Sequence, residues 1–248
     1  MMMSDIPHRA KVFIVAVMLI AAAVTTYAIG TRMGVETRSF VVMLAMAIVA
    51  ARLKLTLPGF DSAMSMNLPF MLLAIAQLPL PEAIAVGAVS TFVQTLPRSG
   101  QTVKAEQAVF NVCNMVNAIA IASLLTARAG HVEQMNTSFL IATAAMAFFF
   151  ADTVPVAAIM SMTSTSRLME IWVAMAIMTF PYFVLSAGLA CLVATGFQVI
   201  GWTAGAVTLG VMLGVYRCFR FYLGHGSALK PDKAAVPVKA VPQPVAGD

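Results

Sequence analysis

The residue whose type and place most invite chemistry is Asp152, the only formal charge between positions 134 and 166. A carboxylate at the centre of a bilayer costs about 2.5–3.5 kcal/mol on insertion scales, so acids at that depth face a bundle interior or a wet cavity. Three residues on, Pro155 lacks the N–H that the Ala151 carbonyl would receive in an unbroken helix. A carboxyl beside a helix break is how ion and substrate sites are built in transporters. A carboxyl bonded to a neighbouring helix, or one near the inner interface, accounts for the same residue without any ligand. Asn111, Asn114 and Asn117 recur every third residue, drifting by about 60° per step around a helix, so they form a broad polar stripe. Such a stripe either lines a cavity or bonds helix to helix, at an average of about 0.6 kcal/mol per bond. Gln77, and Ser90, Thr91, Gln94 and Thr95, add possible partners. One polar centre among the third to sixth helices is therefore expected, with Asp152, Asn111, Asn114, Asn117, Gln77 and Gln94 as its ligand- or ion-binding residues.

Other chemistries are excluded. There is no HExxH, GxSxG, P-loop or strand-borne GxGxxG. His8 and His225 lie near the ends and His131 in a polar loop, so no intramembrane Ser–His or Ser–Lys pair is expected and the chain is read as a non-enzyme. Cys113, Cys191 and Cys218 form no C-x-x-C pair and read as small apolar fillers. The 19 methionines are scattered, with no dense array beyond Met64-Ser65-Met66, so neither a metal nor a cofactor is expected. The formal charge of +5 does not imply nucleic acid, because the basic residues punctuate the ends of apolar runs and form no stripe.

The elements that must position these residues follow from charge. Residues 12–31, 62–81, 107–127 and 171–216 contain no Asp, Glu, Lys or Arg, and the chain as a whole is 60% apolar and 10% charged. Crossing a bilayer takes roughly 20 helical residues. The expected architecture is all-α: a polytopic transmembrane helix bundle with spans near 11–30, 39–57, 63–79, 81–97, 106–127, 137–160, 169–195 and 199–219. Pro58 and Gly59 break the chain after the second span, and Pro79 and Pro81 introduce the fourth, with Glu82 in its first turn. The uncharged run 171–216 is too long for one crossing, and Gly196 and Gly201 mark its expected turn. Six or seven spans remain open if the third and fourth elements are re-entrant. The basic start and small residues near Ala28 resemble a signal peptide, but the uncharged run continues to Thr31, so the segment reads as a retained first span.

With eight spans both ends share a side. Twelve basic residues, among them Arg9, Lys11, Arg52, Lys54 and Arg98, then fall on that side, and only Arg32, Arg38 and Arg128 on the other. The bias of Lys and Arg puts both termini in the cytoplasm and the protein in the cytoplasmic membrane. Residues 1–223 form the membrane domain. The tail 224–248, rich in Pro, Ala, Val and Lys, has no helical period and is expected to be disordered. Gly210 and Gly214 have the spacing that permits close helix approach. Trp172, Trp202 and Tyr222 near span ends read as interfacial anchors.

The order of motifs resembles the multi-span N-terminal membrane region of bacterial signalling proteins whose cytoplasmic output is an HD-type phosphohydrolase or a diguanylate cyclase. Gly59, Ser62 and Ser65 precede an apolar helix, Pro79 and Pro81 bound a turn, Phe110 and Asn111 open the next helix, and Tyr216 with Arg217 close the last span. With only residues 224–248 after that span, the resemblance implies a membrane domain without an output module. Three readings follow. The first is a sensory or accessory domain acting through helix contacts with a protein partner or a second copy of itself. The second is a small-molecule or ion transport component, and the third is a scaffold without a ligand. The lipid bilayer is the partner common to all three.

Overall fold

A computed structural model describes residues 7–31, 37–56, 63–96, 105–132, 136–164 and 166–200, with Val207, Gly210, Leu213, Gly214 and Arg217. Its helices are α1 (His8–Gly30), α2 (Thr37–Ala51), α3 (Leu68–Gln77), α4 (Leu80–Thr95), α5 (Ala105–Val132), α6 (Thr137–Thr163) and α7 (Leu168–Ile200). Four of them, α1, α5, α6 and α7, are long and apolar enough to cross a membrane.

On α1 and α7 most of the buried side chains are small, and many large ones face outward. On α1, Ala10, Val17, Ala21 and Ala28 are buried, while Val12, Val15, Leu19 and Ile20 are exposed. On α7, Ala190 and Ala194 are buried, yet Ile177, Leu185 and Leu192 are at least 70% exposed. Lipid tails solvate Leu and Ile as well as a protein core does, so helices in a bilayer approach through their small residues. The alanine seam of α1 lies chiefly on α5, which also packs on α6 and α4; α6 in turn packs on α7.

Two expectations about the second and third spans are corrected. First, Lys54–Thr56 and Ala63–Ser65 are not helical: they pair antiparallel as β1 and β2, with Lys54 opposite Ser65 and Thr56 opposite Ala63. This two-stranded ribbon is the one departure from an all-helical fold among the described residues. Second, α3 begins only at Leu68, because Pro69 belongs in a first helical turn. Ten residues reach about 15 Å, half of a bilayer core. Leu68 to Ile75 are all buried, and α3 contacts α7, α6, α4, α2 and α5. The shortest helix is the centre of the bundle.

The other boundaries move less. α6 starts where Asn136 accepts a hydrogen bond from the Phe139 N–H at 2.9 Å. α7 continues through Gly196 to Ile200, beyond the end expected at 195, since glycine is common within membrane helices. Val207, Gly210, Leu213, Gly214 and Arg217 are helical and exposed. The turn near Gly201, Trp202, Tyr222 and the tail 224–248 lie outside the described residues.

Candidate functional site

Asp152 stands fifteen residues into α6, near its middle. Asn114 lies opposite on α5, and its Nδ2 donates to both the Asp152 carboxylate Oδ1 (2.9 Å) and the Asp152 backbone carbonyl (3.1 Å). That carbonyl is next to the one Pro155 leaves without its usual helical donor. The Asn114 Oδ1 is buried and has no hydrogen-bond partner among the described residues.

Asp152 borders an open-sided cavity of about 230 Å³ lined by residues of α3, α4, α5, α6 and α7. Its polar lining is Asn67, Gln94, Asp152, Thr153, Thr179 and Tyr182. Phe148 and Phe183, whose ring centroids are 6.0 Å apart, and Met71, Met115 and Met175 supply most of the apolar wall. Mostly apolar concavities with a few convergent polar groups are the usual form of small-ligand sites, although pockets for drug-sized ligands measure about 300–1,000 Å³. This cavity suits something smaller.

Side-chain hydrogen bonds tie the helices around it. Asn67, at the N-cap of α3, turns its amide away from its own helix and donates to Ser90 Oγ on α4 at 3.3 Å. The Tyr182 hydroxyl on α7 is paired with the Leu68 backbone at the start of α3 and with the Ser186 side chain. The Trp172 indole Nε1 donates to Thr153 Oγ1 at 3.1 Å and so joins α7 to α6. Its ring stacks on Phe150 at 5.8 Å, so this tryptophan is bonded into the bundle. Thr153 and Thr179 donate back to the carbonyls of Phe149 and Met175, a bond that bends helices. Where α4 meets α5 the device is steric: a Cβ on Gly87 would collide with Ile119 Cδ1.

The residues singled out from the sequence are thus distributed. Asp152 and Gln94 border the cavity, and Asn114 holds Asp152 from behind. Asn117 faces elsewhere, donating to the Val17 carbonyl on α1 at 3.1 Å; the drift of the stripe carries it from α6 to α1. Asn111 is half-buried near the start of α5, and Gln77 is exposed at the end of α3. Among the described residues nothing stands within 4 Å of a Cβ placed on Gly210 or Gly214. Asn67, Thr179 and Tyr182 were missed. The Asn-Leu-Pro start of α3 and Pro181 beside Tyr182 were the signals available for them.

Among the described residues no group of three His, Cys, Asp or Glu side chains converges. Compared with protein-family models, curated proteins and solved structures, the chain matches none.

Proposed function

We propose that the chain is a non-enzymatic, ligand-responsive domain of the cytoplasmic membrane, sensory or accessory in role, that acts on a partner through its helices. The observation that carries this reading is the Asp152 cavity and its place in the bundle. It lies level with the prolines carried inside two of its long helices, Pro155 on α6 and Pro181 on α7, each of which removes one helical hydrogen bond. A molecule seated there would touch both breaks at once and change how the two helices lean, and the helix ends would transmit that change. The resemblance to membrane regions of signalling proteins points the same way.

In this reading α1, α2, α5, α6, α7 and the span expected at 199–219 cross the bilayer, and the buried half-helix α3 forms a re-entrant hairpin with α4. With eight elements read as four helical hairpins, α3 and α4 entering and leaving together, the bias of basic residues places both ends in the cytoplasm. Reporter tags fused at either end should then show the same sidedness.

Asp152 beside a helix break also favours a transport component as second reading. Two measurements on the purified chain separate them. Thr179→Cys, in a chain with Cys113, Cys191 and Cys218 replaced by Ser, should react with methyl methanethiosulfonate and change Trp172 emission; an inert thiol would remove the ligand site. In proteoliposomes with a lumenal pH dye, the sensory reading expects no flux beyond that of Asp152→Asn. Proton flux that this variant loses would establish transport instead.

A further inference from the structure

We propose that the cavity binds a small organic cation, an ammonium group on a compact apolar body, with Asp152 as its counter-ion. The proposal rests on the cavity being a ligand site and adds the chemical class of its occupant.

Charge comes first. Among the described residues Asp152 is the only formally charged one bordering the cavity, and no described Lys, Arg or His joins it there. Its side-chain partner among the described residues, Asn114, is neutral, so the amide orients the carboxylate and supplies no counter-charge. A buried charge without a counter-charge is costly, and a cationic ligand supplies what the lining lacks. An anionic ligand would meet the opposite situation.

The rest of the wall selects among cations. Phe148, Phe183 and Tyr182 present aromatic rings, which attract ammonium groups through their negative faces. Met71, Met115 and Met175 contribute flexible, polarizable thioethers that adapt to an irregular apolar body. A hard inorganic cation needs six or more oxygen ligands in Ca²⁺ sites, or several retained waters in Mg²⁺ sites; a wall of rings and thioethers does not provide the former. The amide and hydroxyl groups of Gln94 and Thr179 can accept hydrogen bonds from the N–H groups of a primary ammonium. A volume of about 230 Å³ limits the body to a few carbons.

The test titrates the full chain, in detergent and with Trp202 replaced by Phe, with four probes while Trp172 emission is followed. n-Butylammonium and tetramethylammonium should give saturable changes at concentrations at least tenfold below that needed for n-butanol, and butyrate should give none. Asp152→Asn should weaken both ammonium probes at least tenfold and leave n-butanol unaffected. Equal responses to n-butylammonium and n-butanol in the unsubstituted chain would overturn the counter-ion role and leave the ligand site standing; this comparison needs no folded variant. The same saturable change with sodium chloride alone would assign the site to an inorganic cation. No response to any probe, together with an unreactive Cys at position 179, would end both the proposal and the reading beneath it.

Discussion

Asn114 reaches Asp152 twice with a single nitrogen, once at the carboxylate and once at the backbone carbonyl, from a helix 38 positions earlier in the chain. The bond therefore fixes the acid's side chain and clamps α6 to α5 just before the proline break. A neutral donor can hold a carboxylate in place without discharging it, and that combination makes the same residue useful both to the fold and to a ligand.

The first prediction compares the two asparagines that bond across helices. Asn114→Leu strips Asp152 of its donor and should cost about 1–3 kcal/mol, the cost of leaving a buried polar group unmet. Asn117→Leu removes only a bond to a helical carbonyl on α1 and should cost about 0.6 kcal/mol. Asp152→Asn retains both acceptor oxygens for Asn114 and should lie nearer the second value. Unfolding in mixed detergent, followed by far-UV circular dichroism, measures all three; equal losses for the two asparagines would contradict the clamp.

Gly87 provides the second. The gap between α4 and α5 there is filled by Ile119, which is 1% exposed. Gly87→Leu should force the helices apart, at about 1–3 kcal/mol for overpacking. Shortening the opposing side chain in Gly87→Leu/Ile119→Ala should recover part of that loss. Gly214→Leu, where no described residue stands within 4 Å of a Cβ, should leave the thermal midpoint of the chain unchanged.

How much of this could be read beforehand depends on what breaks the monotony of an apolar sequence. A charge does, so Asp152 was visible, as were the long helices bounded by Arg, Glu and Asn. Asparagines do as well, but the sequence holds only their type: that Asn114 faces α6 and Asn117 faces α1 depends on which helices flank α5. The limits of α3 were hidden because residues 62–81 carry no charge and a buried helix has no polar face to give a period. The α7 wall was hidden likewise, since Thr179 and Tyr182 lie in an uncharged run of 46 residues. Close approach was sought at Gly210 and Gly214 from their spacing. It occurs at Gly87, a lone glycine whose role depends on Ile119 across the gap.

A third prediction concerns Trp172. Trp172→Phe loses the bond to Thr153 and keeps a ring against Phe150, so it should cost about 0.6 kcal/mol, the membrane average for one interhelical bond. Trp172→Ala loses the ring too and should cost about 3–5 kcal/mol. If the residue served only as an interfacial anchor, the two variants would differ little in detergent, where no bilayer interface remains to be held. The pair of unfolding midpoints decides it.

The last prediction addresses the two proline breaks. Proline is about 3 kcal/mol less favourable than alanine inside a helix, and its cost in α6 and α7 is tolerable only where neighbours satisfy the carbonyls it abandons. Pro155→Ala and Pro181→Ala return an N–H to the carbonyls of Ala151 and Ile177 and should raise the thermal midpoint, the double variant most. The far ends of the two helices are adjacent: Cys191 Sγ lies 4.0 Å from the Ser138 carbonyl. Spin labels at Ser138→Cys and Thr195→Cys, with the three natural cysteines replaced by Ser, report their separation. A hinge at the cavity should give a broad distance distribution in the proline-containing chain, and a narrower one when both prolines are alanine. A distribution that stays the same width would mean that the breaks are rigid, and a ligand between them would then have no lever by which to move the helix ends.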